Sequence, residues 1–329
     1  MHGTVVGVLR GGQSSEHEVS LRSGQAILAN LPEDRYTGRD IYIDKQGLWH
    51  LNGAPTSPDR VLPSLDVAIV PMHGEGGQDG EVQKVLERYG IPYTGADPFS
   101  SFLASHKLLA KQKATDMGLL TAKYRFIEPT DDVDAATRDI IRSFHQPVVV
   151  KPVRWGSSVG VSVVGGYVPV FYAIQELLEK GAGGVLVEEL IKGREATVGV
   201  LDSVRGEDVY ALPPIEIVPP AGATFFDYEV KYNGTTKEIC PGNFTKDQSE
   251  ELMRMARVMH TELGQRHFSR SDFIVTSRGI YFLETNTAAA VGMTTESLLP
   301  KALAAVGIRF DDFLAHIVEL ALGRDTRPI

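Results

Sequence analysis

The feature that most constrains the fold is an unbroken apolar run near the start of the chain, Val5-Val6-Gly7-Val8-Leu9. A strand without alternating polar residues is buried on both faces, as in a parallel sheet covered by helices. Gly11 and Gly12 then turn the chain, and Ser15-Glu16-His17-Glu18 has the S-x-x-E pattern of a capping box at the start of a helix. This order of strand, turn and helix predicts an α/β domain.

The alternation of strands and helices continues through the 329 residues of the chain, which is more than a single core usually organises. We expect a boundary near Thr94, after which Asp97 can cap a new helix with Pro98 at its first position and Gly118 beyond its end. The predicted fold class is α/β (α+β) in three domains. They are an N-terminal domain at residues 1–95, a central domain at 96–187 and a C-terminal domain at 188–329.

Composition limits the classes of function. The formal net charge of −9, without a cluster of Lys or Arg, argues against nucleic acid as a partner. No apolar run approaches the roughly 18 residues that a membrane helix needs, and the first residues show no signal-peptide pattern. The single cysteine, Cys240, excludes an internal disulfide framework and fits a reducing compartment. We expect a cytoplasmic protein that binds neither nucleic acid nor a membrane.

In the middle of the chain, a strand delivers a lysine into a loop of small residues. Val148–Val150 is apolar, Lys151 follows it, and the loop contains Gly156-Ser157-Ser158-Val159-Gly160. Such a loop lets backbone N–H groups approach an anion while lysine adds a compact positive charge, so the segment fits a phosphate cradle and a flap over a nucleotide. It lacks the Walker A pattern. A flexible turn with a surface lysine is the alternative that these residues leave open.

Acidic and amide side chains share one face of a predicted hairpin near the end of the chain. Side chains two apart on a strand point the same way, so Arg270 groups with Asp272, and Glu284 with Asn286. In one of the hairpin registers that a turn at Gly279 allows, Asp272 lies opposite Glu284. Two carboxylates and an amide oxygen suit magnesium, which prefers hard oxygen ligands. We favour a metal site over the alternative, an ordinary polar strand face.

Two further clusters are compatible with ligand binding. Glu188-Glu189-Leu190-Ile191 and Glu195 follow an apolar strand and can offer backbone groups to adenine and a carboxylate to ribose. A solvated acidic strand end is the simpler interpretation of these residues alone. The segment Gly11–Glu18 lies at a strand–helix turn, where ligands of α/β sheets bind. Because G-x-G-x-x-G is absent there, a dinucleotide-binding dehydrogenase is excluded.

In this order, the four clusters resemble those of the D-alanine–D-alanine ligases, and the resemblance extends from Gly11 to about Arg324. It implies a three-domain ATP-grasp fold with a Rossmann-like N-terminal domain and with ATP between the central and C-terminal domains. It also implies ATP-dependent ligation of two D-alanines through a D-alanyl phosphate, for peptidoglycan precursor synthesis. The motifs that carry it are Gly12-x-x-Ser15-Glu16-x-Glu18-Val19-Ser20-Leu21, His73-Gly74-x-Gly76-Gly77-x-Asp79-Gly80, Pro92-Tyr93-Thr94-Gly95, Lys151-Pro152 with Gly156–Gly160, Asp227-Tyr228-x-x-Lys231-Tyr232, and Glu284-x-Asn286-Thr287 with Gly292-Met293-Thr294.

The resemblance further implies roles for individual residues and a homodimer. ATP would be contacted by Lys107, Lys151, Ser158, Glu188, Glu189, Ile191, Glu195 and Lys231. Two magnesium ions, which manganese can replace, would be held by Asp272, Glu284 and Asn286. The D-alanines would be contacted by Glu16, His73, Arg270, Gly292, Ser297 and Leu298. The catalytic groups would be Arg270 and the Gly292 N–H, which stabilise negative charge, and a hydrogen-bonded triad of Glu16, Ser157 and Tyr232 between the N-terminal domain and the lid.

Three positions depart from the pattern of that family. Thr287–Val291 separates Asn286 from Gly292 and is two residues longer than in the family, without the usual proline. His106 stands where an aspartate is usual, and Glu296 where many members carry a histidine. A D-alanine–D-lactate ligase is a rival hypothesis that Tyr232 disfavours. Two further hypotheses are a ligase for another D-amino acid and an ATP-binding relative without activity.

Overall fold

The structure is a computed structural model that describes residues 3–220, 236–324 and 329. The predicted site residues Lys231 and Tyr232 lie outside the described residues. The described strands form three sheets of five, four and seven strands. In the described part of the chain, no helix is long and apolar enough to cross a membrane.

The first sheet confirms the predicted parallel arrangement around the apolar run. Its elements are β1 (Thr4–Gly11), α1 (His17–Asn30), β2 (Tyr36–Ile43), β3 (Trp49–Leu51), β4 (Ala54–Thr56), α2 (Pro58–Val61), β5 (Val67–Ile69) and α3 (Glu81–Arg88). The strand order is β4-β3-β2-β1-β5, with β1 parallel to both β2 and β5. Val6 and Val8 of β1 are fully buried. Strands β3 and β4 add an antiparallel extension at one edge.

Helix α1 begins differently from the prediction. Its N-cap is Glu16, and no side chain caps it, so the predicted capping box of Ser15 and Glu18 does not form. The Glu16 N–H donates to the Ser14 hydroxyl at 3.2 Å. The Glu16 carboxylate accepts from the Ser157 hydroxyl in the loop of small residues Gly156–Gly160 (the lid loop), and Glu18 is left exposed near the positive end of the helix dipole.

The central part contains a four-stranded antiparallel sheet. Its elements are α4 (Pro98–Ser105), α5 (Lys107–Asp116), β6 (Leu120–Thr121), β7 (Tyr124–Ile127), α6 (Val133–Ser143), β8 (Val148–Pro152), β9 (Ser162–Val164), α7 (Tyr167–Glu179) and β10 (Val185–Glu189). The strand order is β7-β10-β8-β9. Apolar residues of α6 and α7, among them Ile140 and Ile174, pack in one core with Val148 and Val150 of β8. The short strand β6 joins the third sheet instead.

The single helix predicted after Asp97 is two helices. Asp97 caps α4 as predicted, because its carboxylate accepts from the Ser100 N–H at 2.9 Å. His106 then leaves the helical conformation and caps α5 through its Nδ1. This break makes Lys107 the first residue of a new helix and turns it toward the loop that follows β8, where its N–H donates to the Val153 carbonyl at 2.9 Å.

The third sheet is the largest. Its elements are β11 (Arg194–Val204), β12 (Glu207–Ala211), β13 (Ile215–Val218), β14 (Lys237–Ile239), α8 (Lys246–Glu262), β15 (Phe268–Thr276), β16 (Gly279–Thr287), α9 (Leu298–Ala305) and α10 (Phe310–Ala321). The strand order is β14-β13-β11-β15-β16-β6, and β12 pairs with β11. The strand predicted over Val209–Val218 is divided, because Pro213 and Pro214 have no N–H to continue a ladder. The predicted hairpin with Gly279 at the turn is confirmed as β15 and β16.

Candidate active site

The hairpin of β15 and β16 brings the predicted metal ligands together. Asp272 is paired with Glu284, and Arg270 with Asn286, which is the register that the metal-site prediction needed. The Asn286 side-chain amide donates to Asp272 Oδ2 at 2.9 Å. On the neighbouring strand, the Thr197 hydroxyl donates to Asp272 Oδ1 at 2.6 Å. Oxygen-bearing side chains from three adjacent strands, β11, β15 and β16, thus lie side by side.

The chemistry of these groups fits a hard divalent cation. Arg270 donates to both carboxylate oxygens of Asp272 at 3.1 Å each, which balances part of the negative charge. Among the residues that the structure describes, no three or more His, Cys, Asp and Glu side chains are grouped to hold a metal. A cation held by Asp272, Glu284 and Asn286 would therefore complete its shell with phosphate oxygens and water, which is how Mg²⁺ is usually bound.

Lys107 lies beside this acidic cluster. Its ammonium donates to the Trp155 carbonyl at 2.7 Å and lies 3.5 Å from Glu284 Oε2. A phosphate near this lysine would face positive charge and the oxygen ligands at once. The cleft next to Lys107 is lined by Gln78, Ser105, Gly156, Glu284 and Asn286.

Lys151 and Glu188 are buried together beneath the lid loop. Lys151 Nζ lies 2.9 Å from Glu188 Oε2, and Lys111 Nζ lies 3.1 Å from Glu188 Oε1. Burial acts to raise the pKa of Glu188, but the two lysine charges outweigh it and hold the pKa below its ordinary value. Because Glu188 is 3% and Lys151 8% exposed, neither a solvated strand end nor a surface lysine describes them. Those two simpler interpretations are wrong.

The other residues predicted to contact adenine and ribose lie just beyond Glu188. Glu189 ends β10, and its Oε1 accepts from the Lys123 N–H at 2.9 Å. Ile191 is buried. Glu195 lies near the start of β11, paired with Ile274 of β15. Contacts of these residues with a nucleotide stay a prediction.

The lid loop contacts the N-terminal part of the chain at Glu16. The Ser157 hydroxyl donates a short hydrogen bond to Glu16 Oε1, and Glu16 is 5% exposed. Space is tight, since a Cβ at Gly156 would lie 2.6 Å from Glu16 Oε2. Ser157 and Ser158 have φ of 47° and 60°, a left-handed conformation that non-glycine residues seldom adopt. Two members of the predicted triad therefore meet, and the third, Tyr232, lies outside the described residues.

His73 is buried within range of the charges of Arg270 and Arg22. Its Nε2 lies 3.1 Å from the Ser23 hydroxyl, which also accepts from the Met293 N–H at 3.4 Å. Burial, followed by the charges of Arg270 and Arg22, lowers the pKa of His73 to about 4. His73 is therefore neutral near pH 7. Ser23 of α1 bonds both to His73 and to the loop after β16.

The lengthened loop after Asn286 forms one short 3-10 turn, Ala288–Ala290, and brings Gly292 beside Ser297. A Cβ at Gly292 would lie 2.7 Å from Ser297 Oγ. The Ser297 hydroxyl accepts from the Thr294 N–H at 3.1 Å, and Leu298 begins α9. Gly292, Ser297 and Leu298, predicted as substrate contacts, are thus neighbours, and their binding of D-alanine stays a prediction.

Sequence reasoning missed four residues of this region: Lys111, Gln78, Thr197 and Ser23. Lys111 follows Lys107 by four positions, a spacing that puts both on one face of a helix, so the sequence carried a signal for it. Gln78 lines the cleft, and its Oε1 accepts from a backbone N–H at 3.1 Å. Thr197 and Ser23 join segments far apart in the chain, which local spacing does not reveal.

Comparison with known proteins identifies the family. Two family models match: D-ala D-ala ligase N-terminus over residues 5–61, and D-ala D-ala ligase C-terminus over residues 114–319. The D-alanine–D-alanine ligase of Geobacter sulfurreducens is 39% identical over 324 residues, covering 96% of this chain and 93% of that protein. The D-alanine–D-alanine ligase of Syntrophobacter fumaroxidans is 36% identical over 318 residues, covering 96% and 97%.

Solved structures agree with this result. The D-Ala:D-Ser ligase VanG of Enterococcus faecalis superposes with a TM-score of 0.84 at 27% identity, covering 97% of this chain and all of that one. The D-alanyl-alanine synthetase A of Vibrio cholerae has a TM-score of 0.84 at 29% identity, covering 98% and 100%. With its three sheets and its ATP-grasp fold, the chain belongs to the D-alanine–D-alanine ligase family.

Proposed function

We propose that this chain uses ATP to join two D-alanines into D-alanyl-D-alanine, by way of a D-alanyl phosphate, for peptidoglycan precursor synthesis. The proposal rests on one observation: a lysine, a carboxylate, a side-chain amide and the lid loop all line one cleft. Lys107, Glu284, Asn286 and Gly156 line the same cleft, and the residue after Gly156 bonds to Glu16. These are the groups that a phosphoryl transfer followed by an acyl transfer requires.

In the first step, a carboxylate oxygen of the first D-alanine attacks the γ-phosphorus of ATP, and ADP leaves. Such a transfer asks the protein chiefly for positioning and charge neutralisation. Lys107 and Lys151 supply positive charge to the phosphates. Arg270 faces the reacting carboxyl group, and the Glu16 carboxylate accepts the substrate ammonium.

Asp272, Glu284 and Asn286 would hold two Mg²⁺ ions, which Mn²⁺ can replace. When bound, the ions neutralise charge on the phosphate oxygens. The protein's own part is to keep the three ligands on one face of the hairpin, through the register of β15 and β16 and the hydrogen bond from Asn286 to Asp272.

In the second step, the neutral amine of the second D-alanine attacks the acyl carbon, the C–N bond forms and phosphate leaves. The amine proton passes to phosphate or solvent. The Gly292 N–H and the Arg270 guanidinium stabilise the oxyanion. Ser297 and Leu298 hold the second carboxylate, and the lid excludes water that would hydrolyse the acyl phosphate.

We further propose that the protein is a cytoplasmic homodimer, with His73 behind the first D-alanine and Tyr232 completing the triad with Glu16 and Ser157. The remaining ATP contacts in this proposal are Ser158, Glu188, Glu189, Ile191, Glu195 and Lys231. Light scattering of the purified protein tests the dimer.

The test of the activity is Mg²⁺-dependent phosphate release from ATP by the purified protein, with products identified by mass. The substrates are D-alanine, L-alanine, and D-alanine mixed with D-lactate or with D-serine, the last because one structural neighbour is a D-Ala:D-Ser ligase. We expect turnover with D-alanine alone and a D-alanyl-D-alanine product. Mixed products in preference to the homodipeptide would assign a different second substrate. ATP binding without turnover would contradict the proposed activity.

A further inference from the structure

Lys111 is a buried lysine that the proposed reaction leaves without a role. It lies on α5, one helical turn after Lys107, and is 1% exposed. Its ammonium lies 3.1 Å from Glu188 Oε1 and 5.7 Å from the centre of the Tyr124 ring. Burial lowers the pKa of Lys111, against the opposing charge of Glu188. Lysine is almost never fully buried without a partner, so this position requires a reason.

Lys111, Glu188 and Lys151 form a buried charge cluster with one carboxylate between two ammonium groups. Each carboxylate oxygen faces its own lysine, at 3.1 Å for Lys111 and 2.9 Å for Lys151. Within the cluster, two lysines and one glutamate leave one positive charge in excess. The carboxylate of Glu189 also acts on Lys111, but it lies outside the cluster, partly exposed, and accepts from the Lys123 N–H. A structural ion pair needs a single lysine, and a buried unbalanced charge is costly. The excess charge therefore points to an anion that joins the cluster when the enzyme works.

The sheet fixes which lysine can meet that anion. Lys151 is paired with Leu186, and Glu188 with Val149, so Lys151 and Glu188 are diagonal neighbours on one face of β8 and β10. Lys151 is 8% exposed and is the penultimate residue of the strand that leads toward the lid loop, whereas Lys111 lies on α5 and is 1% exposed. A phosphate that enters beneath the lid reaches Lys151 and not Lys111.

We propose that Lys111 is a positioning residue, a permanent counter-charge for Glu188 that frees Lys151 to bind the nucleotide phosphates. The inference rests on the proposed function, in which Lys151 contacts ATP. When Lys151 turns to a phosphate, Glu188 loses that partner inside a buried site. Lys111 keeps the carboxylate paired, so ATP binding does not leave an isolated negative charge. Lys111 itself does not contact ATP.

The variant Lys111→Met tests this role because methionine keeps the length of the side chain and removes its charge. Glu188 then retains Lys151 as its remaining lysine, and ATP must compete for it. We expect the KM for ATP, and the Kd for ADP with Mg²⁺ measured by calorimetry, to rise about tenfold or more, with a smaller change in kcat. The matched control is Lys113→Met. Lys113 lies on the same helix as Lys111, and its ammonium forms a partly exposed ion pair with Glu262 of α8. We expect wild-type affinity for that control.

A second pair of variants separates the counter-charge role from a structural one. In a Glu188→Gln background the carboxylate that captures Lys151 is absent, so adding Lys111→Met should weaken ADP binding no further. Lys111→Arg should keep most of the affinity. A further loss in the double variant, or wild-type ADP affinity in a folded Lys111→Met, would overturn the inference. Absence of D-alanine-dependent turnover in the wild type, with ADP bound normally, would instead refute the proposed activity.

Discussion

Glu16 and Ser157 are single residues whose placement in this site is locally unfavourable but holds the lid loop in position. Glu16 is 5% exposed, and a carboxylate that leaves water is costly unless hydrogen bonds surround it. Ser157 has a φ of 47°, a backbone conformation that costs about 1–3 kcal/mol outside glycine. One contact helps to offset both costs: the hydrogen bond from the Ser157 hydroxyl to Glu16 Oε1. That bond fixes the lid loop over the groups that the cleft brings together.

Removal of the Ser157 hydroxyl should therefore damage catalysis more than folding. In Ser157→Ala, Glu16 loses a charge-assisted hydrogen bond, and the lid loop loses a tie to the N-terminal part of the chain. We expect kcat/KM for D-alanine to fall about 10- to 100-fold, the size of one hydrogen bond to a charged group. Steady-state phosphate release measures it, and Ser143→Ala, an exposed serine of α6, is the control. Wild-type kcat/KM in Ser157→Ala would show that the contact is incidental.

At the scale of elements, local rules predicted what depends on local geometry. The period of two grouped Arg270 with Asp272 on β15 and Glu284 with Asn286 on β16. Of the registers that a turn at Gly279 allowed, the structure adopts the one that pairs Asp272 with Glu284. Local rules failed where distant segments compete for a group. The predicted capping box of Ser15 and Glu18 does not form, because the helix starts one residue later: Glu16 is the N-cap residue, and its side chain bonds to the lid loop. The burial of Glu188 depends on α5 and β8 together, and no spacing in the sequence records that packing.

The loop after β16 is the element in which this chain departs most from its family, and packing explains its composition. Ala288 and Val291 belong to a core that includes residues of α9 and α10, whereas Ala289 belongs to a second core, formed mostly by the first sheet and its helices. A Cβ at Gly95 would lie 2.8 Å from the Ala288 Cβ. Small side chains therefore let the loop enter two cores at once. That double anchoring can replace the stiffness of the missing proline.

A larger side chain at Ala289 should consequently disturb Gly292 through this anchoring. Ala289 is 3% exposed, so Ala289→Leu forces extra methyl and methylene groups into a filled core, which typically costs about 1–3 kcal/mol. We expect a lower Tm and a kcat that falls more than the KM values change, since the Gly292 N–H serves the transition state. Ala305→Leu, at an exposed position of α9, is the control. A lower Tm with unchanged kcat would mean that the loop does not position Gly292.

At the scale of the whole molecule, the first and third sheets meet at a buried histidine. The Gly95 N–H donates to His267 Nδ1 at 3.0 Å, and the His267 N–H donates to the Asp202 carboxylate. Burial, then the charge of Arg266, lowers the pKa of His267 to about 4, and the nearby His260 and His316 act in the same direction while Asp202 opposes them. The neutral ring is required, because a protonated Nδ1 cannot accept the Gly95 hydrogen bond.

Acid should therefore weaken the folded protein before its carboxylates are titrated. The unfolded chain takes up a proton on this residue below the ordinary pKa of 6.5, whereas the folded chain does so only below about 4. Between these values the unfolded state binds more protons. The contribution of His267 to the free energy of unfolding is therefore complete above pH 6.5 and decreases as the pH falls toward 4. His73, with its pKa also lowered to about 4, contributes in the same window and direction.

The variant His267→Asn isolates the contribution of this junction. Asparagine tolerates the left-handed backbone that His267 adopts, with φ of 68°, and its side-chain oxygen can accept from the Gly95 N–H, but it cannot be protonated. Between about pH 7.5 and about pH 5.5, we expect the wild type to lose roughly 1 kcal/mol more unfolding free energy than this variant. Urea unfolding at the two pH values measures the difference, with exposed His145→Asn as the control that keeps the full acid sensitivity. Equal losses in wild type and His267→Asn would show that His267 does not hold the junction in its neutral form, and the acid sensitivity would then belong to His73 and the other buried groups.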